Sequence, residues 1–145
     1  MPGLESFADL ARQVDGLAVV STLREDATIQ STLVNAGVMA SPLDGQPVLA
    51  FVTYGKVKLA NLRARPQITA TTRHGWQWRT VEGRAVVIGP DDPHDGIDGE
   101  RLRRLLRDVF VAAGGTHDNW DEYDRTMIEQ RRAAVLITPA RVYGN

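Results

Sequence analysis

The β-rich segments of this chain follow one another with almost no helix between them, and that order limits its fold more than any other feature. Residues 17–23, 28–35, 47–54, 68–73, 76–88 and 133–138 are dominated by β-branched, aromatic and other apolar side chains. Only one short helical pattern, 56–65, interrupts the first five. A doubly wound parallel sheet needs a helix after nearly every strand. The expected class is therefore mainly β (α+β), a small antiparallel barrel of six strands with peripheral helices.

The remaining segments fit that reading. Leu4, Phe7, Ala8, Leu10, Ala11 and Val14 recur at helical spacing, and Gly16 ends the pattern. Arg24-Glu25-Asp26 and Ser41-Pro42-Leu43-Asp44-Gly45 read as turns. The run 47–54 is almost wholly apolar, as in a strand buried on both faces. Pro66 stops the helix over 56–65. The long strand 76–88 alternates well, with Gly83 as its expected bulge. Residues 89–99 form a polar loop. Leu102, Leu105, Leu106, Val109 and Phe110 line one face of a helix over 100–113, and Arg101, Arg103, Arg104 and Arg107 read as its solvated side. Gly114-Gly115 breaks it, and Trp120, Tyr123, Met127 and Ile128 give another helical face. After 133–138 comes Pro139, with Arg141-Val142-Tyr143 as a continuation of the pairing. No repeat or linker divides the chain, so one domain over 1–145 is expected.

Composition removes several functions. At 145 residues, about two-thirds of the unfolded surface is buried, so a core forms without staples. There is no Cys, hence no disulfide, thiolate metal site or Cys nucleophile. The net charge of −1 offers no field for nucleic acid or anionic lipid. No apolar run approaches the roughly 20 residues of a membrane span. Met1 to Arg12 lacks the basic and apolar regions of a signal peptide. The expectation is a soluble cytoplasmic protein without nucleic-acid or membrane partners. His74, His94 and His117 stand far apart, and Pro93 interrupts the acidic run Asp91 to Asp95, so no metal site is expected. No P-loop, G-x-G-x-x-G or G-x-S-x-G occurs.

Two features point to chemistry. Of 17 basic residues only two are lysines, Lys56 and Lys58, and they sit together. They lie in Thr53-Tyr54-Gly55-Lys56-Val57-Lys58, where an apolar strand turns into a short helix. A helix start favours an anion through its free N–H groups and its dipole. The lysines add charge, and Thr53 and Tyr54 add hydroxyls. Asn61, Arg63 and Arg65 follow. Such a segment is either an anion site or a basic helix end in water. The second feature is Trp76 and Trp78, which at i, i+2 share one strand face. They could cover a planar ring, or serve a core or a subunit contact.

Taken in order, Gln30-Ser31-Thr32-Leu33-Val34-Asn35, the Thr53–Lys58 segment with Asn61-Leu62-Arg63 and Arg65-Pro66, Gly75-Trp76-Gln77-Trp78 leading to Val81-Glu82-Gly83, and Trp120-Asp121-Glu122-Tyr123 with Arg141-Val142-Tyr143-Gly144 resemble a known superfamily. It is that of the split β-barrel flavin and deazaflavin oxidoreductases, the FMN-binding split barrels related to pyridoxamine 5′-phosphate oxidase. Within it the chain resembles the actinobacterial branch of coenzyme F420-dependent enzymes. The resemblance runs from about Gly16 to Gly144. It departs from the pyridoxamine phosphate oxidases in three places. Lys56-Val57-Lys58 stands where they have Ser-Arg-Lys, Thr32 stands where they carry a second-strand Arg, and their Arg-Leu-x-Pro motif is absent.

The resemblance implies a six-stranded split barrel, a homodimer, and a cofactor at the subunit interface that carries the redox chemistry. It implies coenzyme F420, with FMN as the alternative, and hydride transfer from the reduced deazaflavin to a small electrophilic substrate. A protein that only binds F420 or a flavin is the non-catalytic alternative. Lys56 and Lys58 would neutralise the phosphate, with Arg63 or Arg65 near the acidic tail. Thr32, Asn35 and Thr53 would hydrogen-bond the ribityl chain and ring edge, beside Tyr54 and Asn61. Trp76 and Trp78 would come from the partner chain. Tyr123 and Tyr143 are phenols that could donate a proton, but no catalytic residue is assigned.

Overall fold

The structure, a computed structural model, describes Gly3 to Asn145. Its elements are α1 (Leu4–Arg12), β1 (Leu17–Leu23), β2 (Ile29–Ala40), β3 (Pro47–Thr53), α2 (Lys56–Ala64), β4 (Gln67–His74), β5 (Gln77–Ile88), α3 (Gly99–Ala112), α4 (Trp120–Glu129) and β6 (Ala133–Gly144). The six strands close into an antiparallel barrel in the order β1-β2-β3-β6-β5-β4. The expected class and strand count are therefore observed.

Alternation decides which residues fill the barrel. Val20, Val34, Ala36, Leu49, Phe51, Ala70, Val81, Val135 and Ile137 point inward and form one cluster. Leu4, Phe7 and Ala11 of α1 join it, and α1 touches β2 and β3 as well as β4 and β5. A helix reaches strands on opposite sides only across a barrel mouth, so α1 plugs one end. Leu59 and Leu62 of α2 join the same cluster. A second core lies outside the barrel, where Val48, Ala50, Ala134 and Leu136 meet Leu105, Leu106 and Val109 of α3 and Tyr123 and Met127 of α4. Another outer face is formed by β1 and the first half of β2, away from the end of β2 that α3 covers. There Leu17, Val19, Ile29 and Leu33 are exposed.

Several boundaries differ from the sequence reading. β2 runs on to Ala40 because Gly37 lets α3 approach it: a Cβ there would lie 2.0 Å from the Ala112 carbonyl oxygen. β5 begins at Gln77, so Trp76 belongs to the turn and not to a strand face shared with Trp78. β6 continues through Pro139 to Gly144. The expected bulge at Gly83 belongs to the partner strand. Glu82 pairs with Arg141 and Gly83 with Pro139, so Ala140 is the extra residue. Gly83 stays small because a Cβ would lie 2.1 Å from the Thr138 carbonyl oxygen.

The α3 arginines are not simply a solvated face. Arg103 and Arg107 both reach Asp124 of α4, at 3.2 and 2.5 Å, and fasten the two helices together. Arg107, then Arg103, hold the Asp124 carboxyl below the usual carboxylate range. The acidic loop is likewise engaged: Asp92 takes Arg63 and Asp91 takes Arg131. Among the described residues no helix is long and apolar enough to cross a membrane.

Candidate cofactor site

The barrel wall opens between β2 and β3. Their last pair is Ala36 with Phe51. From Asn35 back to Ile29, β2 pairs only with β1, while Val52 and Thr53 of β3 pair only with β6. The two strands thus part as a wedge, each with one hydrogen-bonding edge unmatched by the other. α2 begins at the wide end of that wedge.

Three polar groups mark the wedge. Thr32 pairs with inward-facing Val20, and its hydroxyl is buried without a hydrogen-bond partner among the described residues. Buried hydroxyls are normally satisfied, so an orphan here points to a ligand atom. Thr53 accepts from the Gly55 N–H at 3.2 Å. Lys58 is only 5% exposed, its Nζ lying 3.4 Å from Thr53 Oγ1 and 5.5 Å from the centre of the Phe51 ring. No carboxylate pairs with it among the described residues, and burial pushes its pKa down. A buried ammonium without a counter-ion is costly. An anion would relieve it.

The start of α2 adds donors. Gly55 is its N-cap, no side chain caps it, and its first turn holds no acid. The backbone N–H groups of the first turn have no intrahelical acceptor. A phosphate at this position would meet free N–H groups, the positive end of the dipole and Lys58 together. The donor set therefore fits a phosphate-bearing cofactor, and the orphan Thr32 hydroxyl fits a polar chain leading from it.

No protein-family model matches the sequence. Solved structures share its architecture. An F420 reductase superposes with a TM-score of 0.62 at 17% identity, over 99% of this chain and 98% of that one. An FMN-binding protein from Nostoc punctiforme, related to pyridoxamine 5′-phosphate oxidase, superposes at 0.62 and 14% identity, over 96% and 79%. A conserved hypothetical protein of Mycobacterium tuberculosis superposes at 0.66 and 20% identity, over 99% and 84%. The chain has the split-barrel fold.

In this split barrel the other sequence-derived residues spread around the wedge. Asn61 is buried and donates to Thr22 Oγ1 at 3.0 Å. Thr22 in turn donates to Gln30 Oε1 at 3.2 Å, so this trio ties α2 to β1 and β2. Tyr54 and Lys56 are exposed at the rim. Asn35 is exposed and donates to the Asp15 carbonyl at 2.8 Å. Arg63 is held by Asp92 through two hydrogen bonds of 2.8 and 2.6 Å, so its charge is already matched. Arg65 donates to the Leu23 carbonyl at 2.9 Å.

Trp76 and Trp78 do not reach the wedge of their own chain. The register pairs Trp78 with Arg73, and Trp76 lies in the β4–β5 turn. Trp76 is 93% exposed. Trp78 packs edge-on against Tyr143, with ring centroids 6.1 Å apart. Tyr123 is poorly placed to donate a proton. Its hydroxyl donates to the Leu106 carbonyl at 2.8 Å, and burial pushes its pKa up to about 12.

The sequence reading overlooked Arg132. Its guanidinium stacks on Tyr54, 4.3 Å from the ring centre. β6 pairs Ala133 with Thr53, and that register brings Arg132 beside the residue after Thr53. Only knowledge that the last strand lies next to β3 would have singled it out among fifteen arginines.

Proposed function

We propose that this chain is an oxidoreductase that binds coenzyme F420 in the wedge between β2 and β3 and reduces a small electrophilic organic substrate. The observation that carries the reading is buried Lys58, with no carboxylate beside it among the described residues, at the uncapped start of α2. The unpartnered Thr32 hydroxyl supports it. When bound, the deazaflavin supplies hydride chemistry. Lys58 and the first N–H groups of α2 hold the phosphate, and exposed Lys56 adds a screened charge. Thr32, Thr53 and Asn35 offer hydrogen bonds along the wedge. The barrel core behind them keeps that side dry and strengthens each polar contact.

The same reading makes the working unit a homodimer. It is supported by the uncovered apolar face on β1 and β2 and by the exposure of Trp76. A second copy would bring its hairpin tryptophans over the wedge, and the pair would work in the cytoplasm.

A second reading, FMN on the same fold, is supported by the likeness to an FMN-binding split barrel. Parallel calorimetric titrations with F420 and FMN separate the two. Micromolar or tighter F420 binding with weak FMN binding is the expected result. Preference for FMN moves the protein to the flavin reading, and binding of neither overturns both.

A further inference from the structure

We infer that a pocket behind the wedge is a seat for small apolar carboxylates, anchored by Arg132. Its role as the seat of the reducible substrate rests on the function proposed above, but the binding itself does not.

The pocket has a volume of about 460 Å³ and lies between β2, β3 and the α3–α4 pair. That size is within the usual range for small-molecule sites. Val52, Val109, Phe110, Tyr123 and Met127 give it apolar and aromatic walls. Asn35 and Val52 also line it, and they are the first residues past the last β2–β3 pair. The pocket therefore opens at the root of the wedge.

Its lining has two charged residues, Arg132 and Asp15. Outside it, Arg103 and Arg107 hold Asp124, and Arg131 holds Asp91. Half-buried Arg132 has no carboxylate partner among the described residues. It spends its Nε on Gln130 Oε1 at 2.6 Å and rests its face on Tyr54. With Nε engaged and the guanidinium carbon over the Tyr54 ring, the terminal nitrogens are left for an acceptor. A planar carboxylate matches such a fork. The other charge on the rim is Asp15, exposed and beside Asn35, whose amide it engages through its carbonyl. An anionic ligand would turn its carboxylate to Arg132 and lay its apolar body along Phe110 and Met127.

The test uses the full chain without cofactor, titrated with trans-cinnamate and with neutral cinnamamide. Heat is read by calorimetry. Trp120 supplies an optical signal, because its ring lies 5.3 Å from that of Tyr123. Cinnamate should bind about tenfold more tightly than cinnamamide, the usual scale of one charge-assisted contact. Arg132→Gln should bring cinnamate down to the level of the amide. Val52→Phe, which fills the pocket, should weaken both. Circular dichroism checks that each variant is folded, and Arg132→Gln alone decides the matter if Val52→Phe is not. Equal affinity for acid and amide, no binding of either, or unchanged cinnamate affinity in Arg132→Gln overturns the inference. Because no cofactor is present, a failure to bind F420 is a separate result.

Discussion

The Lys58 ammonium and the Thr53 hydroxyl lie 3.4 Å apart at the start of α2, a buried polar pair that no carboxylate among the described residues completes. Its cost to the free protein and its value to a ligand have the same origin. Replacing Lys58 with Met should therefore raise the melting temperature of the free protein while weakening F420 binding by about ten- to a hundredfold, the range of a hydrogen bond to a charged group. Thermal unfolding and titration on one preparation check both signs.

The same lysine predicts a pH dependence. Burial lowers its folded pKa below the ordinary 10.5. Between the folded pKa and 10.5 the unfolded chain binds more protons, so stability rises with pH across that window. Phosphate affinity should move the other way and fall as pH climbs through the folded pKa. Lys58→Met should abolish both trends. Denaturant melts and titrations from neutral to alkaline pH read them.

Asp124 predicts the acid side. Arg107 and Arg103 depress its pKa, so its contribution is complete above the unfolded value near 3.8 and is lost as pH falls through the folded one. Asp124→Asn should cost about 1 kcal/mol at neutral pH, because the pairs are partly exposed to water. The difference between variant and parent should shrink in acid. Urea melts at a series of pH values test this.

Tyr123→Phe separates a structural phenol from a catalytic one. The variant should lose about 1 kcal/mol, the worth of its bond to the Leu106 carbonyl, while keeping the aromatic wall that Tyr123 gives the pocket. A large fall in the rate of F420H₂ oxidation would return Tyr123 to the list of proton donors.

Leu33 is 63% exposed, beside Val19 at 44% on the next strand. Leu33→Glu should place a charge in the proposed dimer face and halve the sedimenting mass, with the barrel intact by circular dichroism. A parent protein that already sediments as a monomer would remove the dimer.

The order of strands and the helix positions were legible because period-2 and period-3.6 patterns are local. Three boundaries were not, because each depends on a distant neighbour. Gly37 looks like the end of a strand until the Ala112 carbonyl is seen against it. Pro139 looks like a stop, yet the extra residue Ala140 lets β6 pass it. Trp76 looks like strand, but Gly75 turns the chain at a φ of +62° just before it. At the site, Lys58 could be named from its type and its place at a helix start, and Thr32 from the resemblance alone. Arg132 could not, since its importance comes from which strand lies beside β3.

Where β2 and β3 separate, the barrel is held shut on that side by its plug and its remaining seams, not by the wall itself. The alternate amides of β2 that face away from β1 between Ile29 and Asn35 have no strand to protect them. Hydrogen exchange should begin there while Ala36 to Ala40, zipped to β3, stays slow. A molecule lying in the gap becomes a removable seventh rib of the barrel, and its occupancy sets how readily the wall breathes.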